Sequence, residues 1–261
     1  MRKIVFILFV AVFLLPEQVD GQRWKSRRYE GFFGLGSSHL YGDIGGAMTA
    51  ENAYGLKDIE LMSTRPSMAF GGSYRLNHRF YLRSSFVLGF FGGNDVGSKN
   101  EYTRDYSYTS TVFEPTVQGV FFILPENRGM SSAALYNRRG MINKIGQFFI
   151  YVFGGGGAVV NFPTVKDIDG NVITSDRYTP EDAEFKRIGL VFPAGIGIRY
   201  NISSFVLANF EFGRRYTLTD YVDGYTSRYS TSYDVYDFTT LSLVYKIKTT
   251  RRGLPRIFDS R

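Results

Sequence analysis

The chain has 261 residues, a formal net charge of +7, 29 Gly, 19 Tyr, 24 Phe and no Cys. Without cysteine there is no disulfide framework, no thiolate metal site and no lipoprotein anchor. Aromatics make up 17% of the chain while mean hydropathy is near neutral at −0.14, which suits a wall that shows apolar side chains at every second position.

In chain order, Met1, Arg2 and Lys3 precede twelve apolar residues at 4–15, and small residues follow at 19–21. This reads as a secretory signal over 1–21 with Gln22 as the mature start, too short to span a bilayer as a helix; the alternative is a buried N-terminal helix. Residues 22–28 form a basic segment of net +4. From there the sequence alternates with period two, the signature of strands with unlike faces.

Eight such segments are predicted. The first spans 29–41, with Tyr29, Phe33 and Leu35 opposed to Glu30, Gly34, Gly36 and Ser38. The second spans 66–76, where Met68, Phe70 and Tyr74 alternate with Ser67, Ala69, Gly71, Ser73 and Arg75. The third, 80–91, sets Phe80, Leu82, Phe86, Leu88 and Phe90 against Tyr81, Arg83, Ser85 and Gly89, and the fourth, 111–124, sets Phe113, Val117, Phe121 and Ile123 against Glu114, Thr116 and Gln118. The fifth, 148–162, is ambiguous in phase because 154–157 are four glycines. The sixth (188–200), seventh (205–218) and eighth (235–247) place Arg199, Glu211, Arg215 and Lys246 on the side opposite to Leu190, Phe192, Phe210, Leu241 and Leu243.

Connections at 77–79 and 201–204 are tight, whereas 43–65, 92–110, 163–187 and 219–234 are long and polar. Short inner turns alternating with long outer loops are the habit of an outer-membrane barrel. The expectation is therefore an all-β fold: an eight-stranded antiparallel transmembrane barrel over 29–247, followed by a basic periplasmic tail at 248–261. The connection 125–146 departs from the rule, since it should be a short inner turn. An interior just wide enough for side chains must hold Arg75, Arg83, Arg199, Arg215 and Lys246 with Glu30, Glu114 and Glu211. Buried charge is costly unless paired, so these residues are predicted to form an internal ion-pair plug; a selective pore is the competing reading.

Charge divides by side. The inner segments 22–28, 125–146 and 248–261 carry +4, +3 and +4, while the outer loops 43–65, 92–110, 163–185 and 219–234 carry −2, −1, −4 and −2. A topology signal or solvated charge near headgroups explains this without function. Alternatively the inner face docks an acidic or extended periplasmic partner, steered by complementary fields. The candidates are Arg23, Lys25, Arg27, Arg28, Arg138, Arg139, Lys144, Arg251 and Arg252.

Signals for catalysis are poor. A lipid hydrolase would need a Ser–His pair on the lipid face, and His39 shares a face only with Ser37, Ser38 being on the other; a rim histidine is the plainer account. Asp167 to Asn171 lacks the third ligand and distal Glu of a calcium loop and reads as an Asp-Gly turn. The run 154–157 lacks the Lys-Ser/Thr of a phosphate loop, and nucleic-acid binding is not expected. No enzyme, cofactor, metal or small-molecule substrate is predicted.

Several stretches carry a likeness: Tyr-Gly-Asp-Ile-Gly at 41–45, Val160-Asn161-Phe162-Pro163 closing the glycine-rich strand, Glu-Phe-Gly-Arg-Arg-Tyr-Thr-Leu-Thr-Asp-Tyr-Val-Asp at 211–223, and more weakly Lys-Thr-Thr-Arg-Arg-Gly-Leu-Pro at 248–255. Together they resemble the PorG-like outer-membrane barrel of the Bacteroidetes type IX secretion system. The resemblance implies a non-enzymatic barrel in outer-membrane lipid that contacts the periplasmic ring of PorK and PorN, with no catalytic residues to carry over. Competing roles are a structural or adhesive surface barrel acting through Tyr-rich acidic loops, and a narrow solute channel.

Overall fold

The computed structural model describes residues 27–41, 64–94, 107–124, 148–167, 169–173, 187–203, 205–219, 221–224, 234–250 and 254–255. Among them run β1 (Tyr29–Tyr41), β2 (Arg65–Arg75), β3 (Phe80–Asn94), β4 (Ser107–Phe122), β5 (Phe148–Lys166), β6 (Val172–Ile173), β7 (Ile188–Asn201), β8 (Val206–Thr217) and β9 (Val235–Ile247). Their order is β4-β3-β2-β1-β9-β8-β7-β5, and pairing of β4 with β5 closes the ring. All neighbours are antiparallel. Eight strands thus form a closed barrel with no helix among the described residues, and closure leaves no row of unpaired backbone groups.

The alternation predicted from sequence fixes which face looks inward. Along β4, Tyr108, Ser110, Val112, Glu114, Thr116, Gln118, Val120 and Phe122 are all buried, while Phe113 and Val117 stand exposed. The ladder also settles β5. Gly154 faces Ala194 and Gly157 faces Val191, so odd residues point inward, placing Tyr151, Phe153, Val159 and Asn161 in the lumen. A β-carbon at Gly155 or Gly157 would run into the carbonyl oxygens of Val117 and Pro115. Glycine there lets two backbones approach closely.

Two predicted loops are shorter than expected. Strands β3 and β4 continue through Asn94 opposite Ser107, and β5 reaches Lys166 and pairs with the two-residue β6. The polar composition of 107–110 reads as loop, yet Tyr108 and Thr109 are strand formers and the segment keeps the phase, with Tyr108 and Ser110 buried. Polarity there marks barrel wall outside the apolar belt. The chain turns at Gly170, whose N–H donates to Asp167 O at 2.8 Å and whose φ is 79°.

At the other end the turns are tight and side-chain capped. Asn77 Oδ1 accepts from the N–H groups of Arg79 (2.9 Å) and Phe80 (2.7 Å). Ser203 Oγ accepts from Val206 N–H at 3.0 Å. Such local bonds replace ladder bonds where the chain reverses. Tyr29, where β1 begins, lies opposite Ile247, where β9 ends, so both outgoing segments leave this end side by side.

Candidate functional site: lumen, wall and inner rim

The lumen is filled in layers. Near the inner end Tyr81, Val120, Phe122, Phe149, Tyr151 and Phe153 form one apolar cluster. Toward the outer end Val112, Val159, Val191, Tyr236, Phe238 and neighbours form another. Glycines make room for the rings: β-carbons at Gly195 and Gly213 would meet Phe153 at 2.6 Å and 2.7 Å, and one at Gly197 would overlap the Tyr151 ring.

Ion pairs link the layers. Arg83 Nη1 donates to Glu211 Oε1 at 2.5 Å, and its Nε and Nη2 donate to Gln118 Oε1 at 2.9 Å and 2.6 Å. The Tyr151 hydroxyl donates to the same Glu211 oxygen at 2.5 Å. Strands β3 and β8 are diametrically opposite in the ring, so Arg83–Glu211 is a strut across the lumen. Arg215 Nε lies 3.6 Å from Glu114 Oε1, and the Tyr236 hydroxyl donates to Glu114 Oε2 at 2.6 Å, again between opposite strands, β9 and β4. Arg199 Nη1 meets Glu30 Oε2 at 3.0 Å, donates through Nε to Asn209 Oδ1 at 3.0 Å, and lies 4.8 Å over the Phe122 ring.

The remaining interior candidates sit lower. Arg75 donates through Nε to Asn77 O at 3.2 Å and lies 5.5 Å over the Tyr81 ring, tying the β2–β3 turn to the lumen. Lys246 is buried and opposite Glu30 in register. Arg83, Arg199 and Arg215 are thus paired with carboxylates on non-adjacent strands of the ring, whereas Arg75 is held by its own turn and the neighbouring strand.

The outer mouth is corked by a segment that the sequence did not reveal as inward. Val222 is wholly buried among the upper cluster. Its N–H donates to Asp234 Oδ2 at 2.8 Å, and Asn161 Nδ2 donates to Tyr221 O. Gly224 turns the chain at φ 82°, where a β-carbon would also strike Pro163 at 2.7 Å. A lone valine in a polar loop was the available signal.

Outside, the wall is apolar. Phe33 (51% exposed), Leu35 (57%), Phe70 (46%), Leu190 (57%), Leu241 (62%) and Leu243 (60%) stand open on it. A contiguous belt of this kind is unstable against water and matches hydrocarbon. The barrel sits in the outer membrane. No protein-family model and no curated protein matches the chain. Among solved structures it is similar to Ail, the attachment invasion locus protein of Yersinia pestis, at 12% identity and TM-score 0.43, covering 84% of this chain and 98% of that one. It is also similar to a major outer membrane protein of Thermus thermophilus (10%, TM-score 0.42, 83% and 98% covered). A third such structure is the outer membrane protein OprG of Pseudomonas aeruginosa (8%, TM-score 0.40, 85% and 98%). Likeness at this level carries no functional argument.

One polar cluster interrupts the outer wall. In register across β1, β9 and β8 stand His39, Asp237 and Arg214. Arg214 grips Asp237 in a bidentate pair, Nε to Oδ1 and Nη2 to Oδ2 both at 2.9 Å. The Tyr41 hydroxyl donates to Asp237 Oδ2 at 3.1 Å, and the His39 ring meets Tyr41 edge-on at 4.9 Å. Ser37 faces the same side, while Ser38 Oγ points inward to Phe90 O and Arg65 O. Sequence reading found His39 and Ser37 but missed Tyr41, Arg214 and Asp237; outward-phase charges near strand ends were the signal.

At the inner rim Arg28 Nη1 donates to the Tyr74 hydroxyl at 2.9 Å. Arg27 and Lys248 both lie over the Phe205 ring, at 4.3 Å and 5.1 Å. Beyond Lys248 the chain reverses, Thr249 bridging to Pro255 and Thr250 N–H donating to Leu254 O at 2.8 Å. The other docking candidates, Arg23, Lys25, Arg138, Arg139, Lys144, Arg251 and Arg252, lie outside the described residues, as do the signal segment and the 125–146 connection.

Proposed function

We propose that this barrel is a non-enzymatic anchor whose inner rim docks an acidic periplasmic assembly, a ring of the type IX secretion kind. One observation supports the reading most directly: residues 27–28 and 248–250, from the basic segments 22–28 and 248–261, lie beside the paired strand ends Tyr29 and Ile247, with Arg27 and Lys248 against the same ring, Phe205. The segments to which these residues belong carry eight units of formal charge together, and the lumen beside them is spanned by side chains. Long-range attraction of this kind orients a partner and speeds its encounter.

The test is charge reversal. Arg138, Arg139, Arg251 and Arg252 are changed together to Glu, and the protein is extracted from outer membrane in mild detergent. Loss of ring co-purification, with the heat-modifiable gel mobility of the folded barrel retained, is the expected result. Unchanged co-purification sinks the docking reading.

A further inference from the structure

We propose that the inner-leaflet half of the wall carries a groove for an anionic glycerophospholipid, one acyl chain lying on a floor made by Gly31 and Gly72. These two glycines face each other across β1 and β2 on the outward side, and Ser84 of β3 continues the row beyond Gly72. The next row toward the outer end is large: Phe33 faces Phe70, and Phe70 faces Phe86, the last two stacked at 5.5 Å. The row toward the inner end holds Tyr29 and Tyr74, with ring centroids 5.1 Å apart. Between these rows, with Leu243 and Tyr245 at the side, lies an apolar groove of about 610 Å³.

Folding does not require these two glycines. A β-carbon at Gly31 meets nothing within 4 Å, and one at Gly72 meets only Glu30 O at an ordinary 3.6 Å. By contrast, β-carbons at Gly34, Gly36 and Gly71 would collide with neighbouring strands or the Phe32 ring. Neither Gly31 nor Gly72 has positive φ. Glycine inside a strand is less stable than a residue with a side chain, through its larger loss of backbone entropy. The belt accepts that cost and keeps a hollow where a β-carbon would meet no clash.

The occupant follows from the setting. The wall is immersed in lipid, so an acyl chain is the apolar object at hand. Cations lie at headgroup height beside the groove: Arg28 on Tyr74, and Arg27 and Lys248 over Phe205, whose ring is 6.5 Å from that of Tyr245. They complement a phosphate carrying net negative charge. A second copy would present the same convex wall and rest on the rims of the groove without filling it. The groove lies on the lipid-facing wall and does not rest on ring docking, although Arg27, Arg28 and Lys248 enter both readings.

The test uses the full-length mature protein in mild detergent, incubated with dioleoyl phosphatidylglycerol or dioleoyl phosphatidylcholine and weighed by native mass spectrometry. The wild type is expected to retain one phosphatidylglycerol. G31L, alone and with G72L, lowers that retention about tenfold, with heat-modifiable mobility unchanged. R28Q lowers retention of phosphatidylglycerol severalfold but leaves that of phosphatidylcholine as it was. Three results would overturn the proposal: no lipid kept by the wild type, full retention in folded G31L/G72L, or wild-type dimers that the leucines abolish.

Discussion

The diametral strut Arg83–Glu211 offers the sharpest test of how the lumen is held. Replacing Arg83 by Met keeps most of the side-chain volume but leaves Glu211, whose side chain is 15% exposed, without its 2.5 Å cationic partner. Breaking a buried pair from one side costs about 3–5 kcal/mol because the surviving charge stays desolvated. Gln118 loses two donors in the same step, so R83M belongs at the upper end. E211Q alone strands the guanidinium but keeps an acceptor for the Tyr151 hydroxyl and should cost about 2–3 kcal/mol. In R83M/E211Q no charge is left unpaired, and the loss falls to about 1–2 kcal/mol. The coupling between the two sites is therefore on the order of 3 kcal/mol or more. Urea titration of the barrel in lipid vesicles, read by heat-modifiable mobility and extrapolated linearly, measures all three losses. Additive losses, with a coupling below about 0.5 kcal/mol, would refute the strut.

Two further outcomes follow from the lumen and the wall. G197V places a branched side chain in the volume of the Tyr151 ring and should cost about 1–3 kcal/mol; combined with Y151A the loss is less than the sum, and a purely additive result contradicts the packing. R214A leaves Asp237 on the outer wall without its bidentate partner, at an expected cost of about 1–3 kcal/mol. Adding D237N to R214A recovers part of it in the same urea assay, and an unchanged midpoint in R214A refutes the clasp.

Much of the wall was legible because a strand's side-chain period is two residues and a lipid-facing wall leaves little freedom of phase. Phe113 against Glu114, or Leu243 against Ser242, declares in and out without any knowledge of neighbours. Residues 154–157 could not declare it, since glycine has no side chain to sort; the ladder to β7 supplied the phase. Strand ends at Asn94, Ser107 and Lys166 were hidden because polar residues on a projecting wall look like loop. The clasp of Arg214 and Asp237 was hidden because its members are distant in sequence and each reads as a solvated charge.

By itself the sequence determined the strand count, the closed antiparallel class and the inward set that includes Arg83, Arg199, Glu114 and Glu211, since local alternation and turn chemistry suffice for those. Only the tertiary structure decided who pairs with whom. Arg83 meets Glu211 because closing eight strands sets β3 opposite β8. Val222 corks the mouth because the chain after β8 turns inward, and Gly31 finds Gly72 because register lays one row on another. Ring closure and register are set by the whole set of strands, so no single strand's alternation contains them.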